Sequence, residues 1–202
     1  MIKTIIFDFG DVFINLDKPA TEREFNKLGL TSLNKELKFI NQLYETGHID
    51  TKSFINHYQN LIPNISADQI KRNWNAILKD FPTHRLQFIE RLAKEKKYKL
   101  ILLSNTNELH INWIKKNISF YQDFKSYFDA FYLSHEIHLR KPNEDIFRFV
   151  LKKHQLHPSE TLFIDDTFAN TNAAKQLGIH VWNNNPQTDD VVNLFAIKSN
   201  LF

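Results

Sequence analysis

The 202-residue chain has no cysteine. Disulfides, thiolate nucleophiles and cysteine-based zinc or iron–sulfur sites are therefore excluded together. No uninterrupted apolar stretch approaches the ~20 residues needed to cross a bilayer. Residues 2–9 are too short for the apolar run of a secretory leader and run straight into acid, so no leader is expected. Repeats and low-complexity segments are also lacking. A soluble, cytoplasmic protein with no membrane partner is expected. Excess charge is scarce too, the formal net charge being +3. The densest basic cluster, Lys94-Glu95-Lys96-Lys97, falls near the C-terminal end of a helical segment, where it meets the helix dipole favourably. The other lysines are scattered, so no nucleic-acid partner is expected.

What is present suits one large domain, or a core domain with a modest insertion. Hydrophobic residues make up 42% of the chain, enough for an ordinary globular core. Three short runs dense in Ile, Leu and Phe, at 4–9, 99–103 and 161–164, read as fully buried strands. Continuous apolar runs of this length fit a parallel sheet covered on both faces. Weaker strands are expected at 130–133 and 180–182. Helical spacing fills the gaps at 83–97, 108–117, 143–154 and 168–177, the last stopped by Gly178. Strands alternating with helices imply βαβ units, hence an α/β fold with a Rossmann-like, doubly wound parallel sheet. Residues 17–82 break the alternation with helical periodicity and no convincing strand. Within them, Ser66-Ala67-Asp68-Gln69 is a capping-box start. The expected organisation is an α/β core of residues 1–16 and 83–202, with a helical cap domain of residues 17–82. Ligands bind beyond the carboxyl ends of such strands, so an insertion leaving the first strand sits over that site as a lid.

Those strand ends carry the chemistry. The first delivers Asp8, Gly10 and Asp11, the second Ser104 and Asn105, and another Asp165 and Asp166. Lys141 lies in a turn ahead of the 143–154 helix. Singly, a strand-end aspartate is more often a turn or helix cap, Ser104 an N-cap and Lys141 a solvated lysine. Together they make one device for phosphoryl transfer, which needs a nucleophile, charge neutralisation and positioning. Asp8 and Asp166 can share a hard divalent cation such as Mg²⁺. Asp8 can then attack phosphorus. Ser104, nearby backbone N–H groups and Lys141 can hold and neutralise the transferring group.

With these residues in order, the sequence resembles the haloacid dehalogenase superfamily of hydrolases over nearly its whole length. FDFGDV matches the first motif, LLSN the second and Lys141-Pro142 the third. FIDDTFAN, followed by Ala173-Ala174-Lys175-Gln176-Leu177-Gly178, matches the fourth. The segment 17–82 is similar to the helical cap of the subfamily whose cap lies between motifs one and two, and 45–50 (ETGHID) looks like a cap loop of that group. The resemblance implies Asp8 as nucleophile. It also implies Mg²⁺ held by Asp8, the backbone carbonyl of Gly10 and Asp166, with Asp165 as an alternative or outer ligand. Asn170 stands where many members place another acid. The expected activity is hydrolysis of a small phosphorylated metabolite, such as a sugar phosphate, through an aspartyl-phosphate. Phosphate and substrate contacts are expected from Ser104, Asn105, Lys141, Asp11 and His138.

The chain also departs from the family pattern. Phosphatases of the superfamily usually carry a second aspartate two residues after the nucleophile, to protonate the leaving group. Here that position is Gly10, and general acid–base help is worth roughly 10²–10⁴-fold. Asp11 is the nearest substitute, although a loop-bonding role suits an adjacent residue better. His138 stands where relatives often have glycine, and can contact phosphate or remain an ordinary loop side chain. His48 and Tyr44 are candidates to face the substrate, while Trp74, Phe54 and Tyr58 read as helix-packing residues. Two alternatives accompany the phosphatase reading. One is a catalytically weak or non-catalytic binding or regulatory protein, suggested by Gly10. The other is a 2-haloacid dehalogenase, against which the Asp165-Asp166 pair speaks. Monomer and dimer are equally compatible with the sequence.

Overall fold

In a computed structural model, which describes residues 1–30 and 35–202, the apolar runs become one parallel sheet. Strand β1 (Thr4–Phe7) is fully buried. After it come helices α1 (Ala20–Asn26), α2 (Lys35–Glu45), α3 (Thr51–Leu61) and α4 (Ala67–Asn75). Helix α5 (Thr83–Glu95) leads to β2 (Lys99–Ser104), followed by α6 (Glu108–Asn117) and a short α7 (Tyr121–Ser126). Next are β3 (Ala130–Leu133), one turn of α8 (Ser134–Ile137) and α9 (Glu144–His154). The chain then forms β4 (Thr161–Asp165), α10 (Phe168–Gln176) and β5 (His180–Asn183), ending in short turns around α11 (Leu194–Ile197). Among the described residues, no helix is long and apolar enough to cross a membrane.

The strand order is β3-β2-β1-β4-β5, every pair parallel, with Ile5 beside both Leu100 and Leu162. β1 is thus central, and the order reverses on either side of it, the place where open α/β sheets leave a crevice for ligands. The continuous apolarity of the strands has a direct cause. Ile5, Phe7, Leu100, Leu102, Leu162 and Ile164 enter one core, while Ile6, Ile101, Leu103 and Phe163 enter another on the opposite face. Alternate side chains point to opposite faces, so two covered faces demand apolar residues at every position.

β1 ends two residues before the expected limit. The chain turns at once, with Phe13 N–H and Ile14 N–H both donating to Phe9 O. It then leaves the sheet, and residues 15–17 pair with returning residues 77–80 through Asn15 N–H to Asp80 O and Asp17 N–H to Ile77 O. Buried Arg85 secures this crossing, with Nη1 2.9 Å from Asn15 Oδ1 and Nε 3.1 Å from Asp190 Oδ2.

Helices α1–α4 surround their own apolar cluster, built on Phe25, Tyr44, Phe54, Tyr58 and Trp74. Residues 31–34 of the expected cap lie outside the described residues. Ser66 Oγ accepts the Gln69 N–H at 3.2 Å, as the capping box predicts, and Asp50 caps α3 through the Ser53 N–H at 2.7 Å. The helix expected over 83–97 stops at Glu95, because Lys96 takes a left-handed conformation with φ +51°. In the basic cluster, Lys94 pairs with Glu90 on the same helix and Lys97 lies over the Tyr98 ring.

Candidate active site

Three strand ends, those of β1, β2 and β4, converge on Lys141 from the turn ahead of α9. The Asp8 N–H donates to Ile164 O at 2.8 Å, extending the sheet ladder by one residue and aiming the carboxylate beyond it. Asp8 Oδ1 lies 2.8 Å from Lys141 Nζ. That ammonium is completely enclosed, with Asp165 Oδ2 at 2.6 Å and Leu103 O at 2.8 Å as its other partners. Asp165 is wholly buried and saturated. Its Oδ1 accepts the Thr167 N–H at 2.8 Å and both oxygens accept Asn170 Nδ2 at 3.0 Å. Asp166, the next residue, pairs with Lys18, which also reaches Asp11 Oδ2 at 3.2 Å.

The electrostatics follow from burial. Removal from water pushes the Asp8 carboxyl up to about 7; Lys141 opposes this, while Asp165 and Asp166 add to it. Burial works against the Lys141 ammonium, but Asp165 and Asp8 outweigh it and push that group up. Burial also raises Asp166, against the pull of Lys18. Oxygens of Asp8, Asp165 and Asp166 lie within 4.8 Å of one another. A set of carboxylate oxygens, one of which resists ionisation in the absence of a further cation, fits a hard divalent cation of the Mg²⁺ type. Such a cation would restore the charge of Asp8 while bringing a phosphate against it.

The other expected residues divide. Ser104 is buried at the tip of β2, and its hydroxyl makes only a long contact, 3.5 Å, to the Asn105 carbonyl. Asn105, expected at the phosphate, spends its carboxamide on the backbone of Lys141: Oδ1 accepts that N–H at 2.9 Å and Nδ2 donates to that carbonyl at 2.8 Å. Asp11 adopts a left-handed conformation, φ +53°, and its Oδ1 accepts the Leu16 N–H at 2.9 Å. It bonds its own loop, and Asn184 Nδ2 holds its carbonyl at 3.0 Å. His138 Nδ1 donates to the Thr46 carbonyl at 2.8 Å, which ties it to the helical insertion. Tyr44 is buried against Phe54, with its hydroxyl on Thr51 and the Leu109 N–H, a packing role. His48 bonds Thr46 Oγ1 at 2.7 Å.

Two residues escaped the sequence reading. Lys18 bridges Asp11 and Asp166, although nothing in its surroundings in the chain marks it. Leu16 occupies the space beside Gly10, where an added Cβ would lie 2.7 Å from Leu16 Cδ1. The backbone of Gly10 is not left-handed, so it is this neighbour that favours glycine. The slot of the expected second aspartate is therefore filled by an aliphatic side chain.

Comparison with known proteins agrees with this geometry. The description "haloacid dehalogenase-like hydrolase" belongs to the family profile that matches residues 2–178. A D-ribitol-5-phosphate phosphatase from Bacteroides thetaiotaomicron is 31% identical over 190 residues, covering 90% of this chain and 91% of that protein. A HAD family enzyme of the same organism, crystallised with magnesium and inorganic phosphate, superposes with a TM-score of 0.83 at 36% identity, over 96% of this chain and 100% of that one. A predicted HAD-like family hydrolase from Porphyromonas gingivalis gives a TM-score of 0.83 at 28% identity, over 100% and 98%. By profile, by sequence and by fold, the chain belongs to the haloacid dehalogenase-like hydrolase family.

Proposed function

We propose that the protein is a Mg²⁺-dependent phosphatase acting on a small phosphorylated metabolite, with a sugar or sugar-alcohol phosphate as the favoured class. The observation that carries this reading is enclosed Lys141 paired with both Asp8 and Asp165, with an Asp166 oxygen close to theirs, at the sheet's switch point. The similarity to a D-ribitol-5-phosphate phosphatase supports the substrate class. Asp8 and Asp166 would hold the metal together with the Gly10 carbonyl, Asp165 contributing mainly through Lys141. Bound there, the cation supplies neutralisation of the phosphate oxygens.

Asp8 Oδ forms a bond to phosphorus as the bond to the leaving oxygen breaks, giving an aspartyl-phosphate. Water then attacks phosphorus, the P–Oδ bond breaks, and phosphate leaves with Asp8 restored. Lys141 favours the anionic form of Asp8 alongside the cation and offsets the incoming charge. Ser104 Oγ and backbone N–H groups of the loop after Asp8 position the transferring oxygens. Helices α1–α4 act as a cap that excludes water and selects the leaving group. With Leu16 beside Gly10, the leaving oxygen takes its proton from solvent or from the substrate's own hydroxyls.

Phosphate release from a pentitol phosphate in Mg²⁺, abolished in Asp8→Asn, tests the reading. Absence of turnover across sugar and sugar-alcohol phosphates by a folded protein would overturn it. A binding or regulatory role is the second reading, favoured by the filled slot beside Gly10. Metal-independent turnover of 2-chloropropionate would instead point to a dehalogenase.

A further inference from the structure

We propose that the 45–48 loop of the helical insertion is a positioning device for Lys141, so that the insertion governs the phosphate site itself and not only the choice of leaving group. The inference rests on the phosphatase reading above. Residues 134–140, which run from the end of β3 directly into Lys141, are lined by this loop along their length. Ser134 Oγ lies 2.5 Å from Glu45 O while accepting the Thr106 N–H at 2.9 Å, so one hydroxyl joins the insertion to the end of β2. Gly47 comes so close that a Cβ there would sit 2.1 Å from His135 O, a backbone atom with little freedom to yield. Its φ of +66° independently favours glycine. His138 holds a left-handed conformation, φ +58°, and its Nδ1 is fastened to Thr46 O at 2.8 Å. Arg140 Nη2 then pairs with Glu45 Oε2 at 2.9 Å, both side chains about three-quarters buried (26% exposed).

The residue after Arg140 is the lysine that neutralises Asp8. Its backbone is held on the other side by the Asn105 carboxamide, adjacent in sequence to Ser104. The segment bearing Lys141 is thus clamped between the insertion and the tip of β2. Displacing the loop releases three of its fixed points, at Ser134, His138 and Arg140. The lysine ammonium, which must meet Asp8 and Asp165 within hydrogen-bond distance, then loses its register. Sub-ångström misplacement of such a group weakens charge stabilisation strongly. Glu45, Gly47 and His138 are in this sense positioning residues, acting through Lys141.

Inorganic phosphate separates this from a purely leaving-group role, because it has no leaving group. Its affinity is measured by calorimetry, with saturating Mg²⁺, for wild type, Gly47→Ala and Glu45→Gln, with melting curves to confirm folding. Gly47→Ala is expected to weaken phosphate roughly tenfold. Glu45→Gln, which keeps the shape and removes the ion pair, is expected to cost about threefold. In both, kcat falls by more than KM rises, and the reciprocal Glu45→Arg/Arg140→Glu protein recovers part of the loss. Should Gly47→Ala fail to fold, Glu45→Gln decides alone. Phosphate affinity within about twofold of wild type in the folded variants overturns the proposal. Wild type that binds no phosphate overturns the phosphatase reading instead.

Discussion

Replacing Gly10 with aspartate would install the carboxyl group that most phosphatases of this family carry, and the structure sets the cost. Gly10 is not in the left-handed region, and the atoms that an added Cβ meets are those of Leu16. The new Cβ would stand 3.5 Å from Leu16 Cγ, an ordinary contact, but 2.7 Å from Cδ1. Carbon atoms sit comfortably about 3.5–4.0 Å apart, so one terminal methyl must retreat by close to an ångström. It is the free end of a half-buried side chain, and a rotation about its last bond provides most of that movement. Overpacking costs about 1–3 kcal/mol, and this site belongs at the low end, about 1 kcal/mol. Leu16→Ala should remove the conflict, so the double variant Gly10→Asp/Leu16→Ala should be more stable than the sum of the singles by about 1 kcal/mol. Urea unfolding of all four proteins measures this coupling. The catalytic readout is kcat/KM on an alkyl and an aryl phosphate. An added acid should accelerate the alkyl ester by roughly 10²-fold, the low end for general acid catalysis, and the aryl ester little, since its leaving oxygen needs no proton. A loss above about 3 kcal/mol in Gly10→Asp alone would mean that Leu16 cannot yield. Equal acceleration of both esters would refute the reasoning about the slot.

Two further predictions follow from buried charge. Lys141→Met should destabilise the metal-free protein at pH 8 by about 3–5 kcal/mol, because Asp8 and Asp165 would face each other uncompensated, and a loss below about 1 kcal/mol in urea would refute this. His110, stacked on Trp74 with Nε2–H donating to Trp74 O and Nδ1 accepting from Asn107, is pushed down to about 4 by burial. A histidine whose folded value lies below its unfolded one loses stability as pH falls from about 6.5 to about 4, here by about 3 kcal/mol in all. His110→Gln should flatten that acid slope in melts from pH 7 to pH 4, and an unchanged slope would assign the loss elsewhere.

The sheet was legible because its signal is local. A strand buried on both faces needs apolar residues without interruption, and 5–7, 100–103 and 162–164 carry them. Helix ends marked by side chains, such as Ser66, were equally readable. Less visible were α7, α8 and α11, one- or two-turn pieces whose form depends on what they pack against. At the candidate site, Asp8, Ser104, Lys141, Asp165 and Asp166 do come together at the strand ends. Asn105 lies beside them, but both atoms of its carboxamide are taken by the Lys141 backbone, and His138 is turned to the helical insertion, its Nδ1 on Thr46 O. A sequence offers the residue type and its place; which partner satisfies a buried amide or imidazole depends on what the rest of the chain brings near.

The sequence by itself determined the parallel sheet, the helical insertion after the first strand, and the acidic strand ends beside one lysine, since hydrophobic period and residue order are properties of the chain. Only the tertiary structure decided that Leu16 fills the slot beside Gly10, that Lys18 meets Asp166, and that the 45–48 loop leans on the segment leading to Lys141. Each depends on van der Waals contact or charge pairing between stretches that the fold, and not the order of residues, brings within a few ångströms.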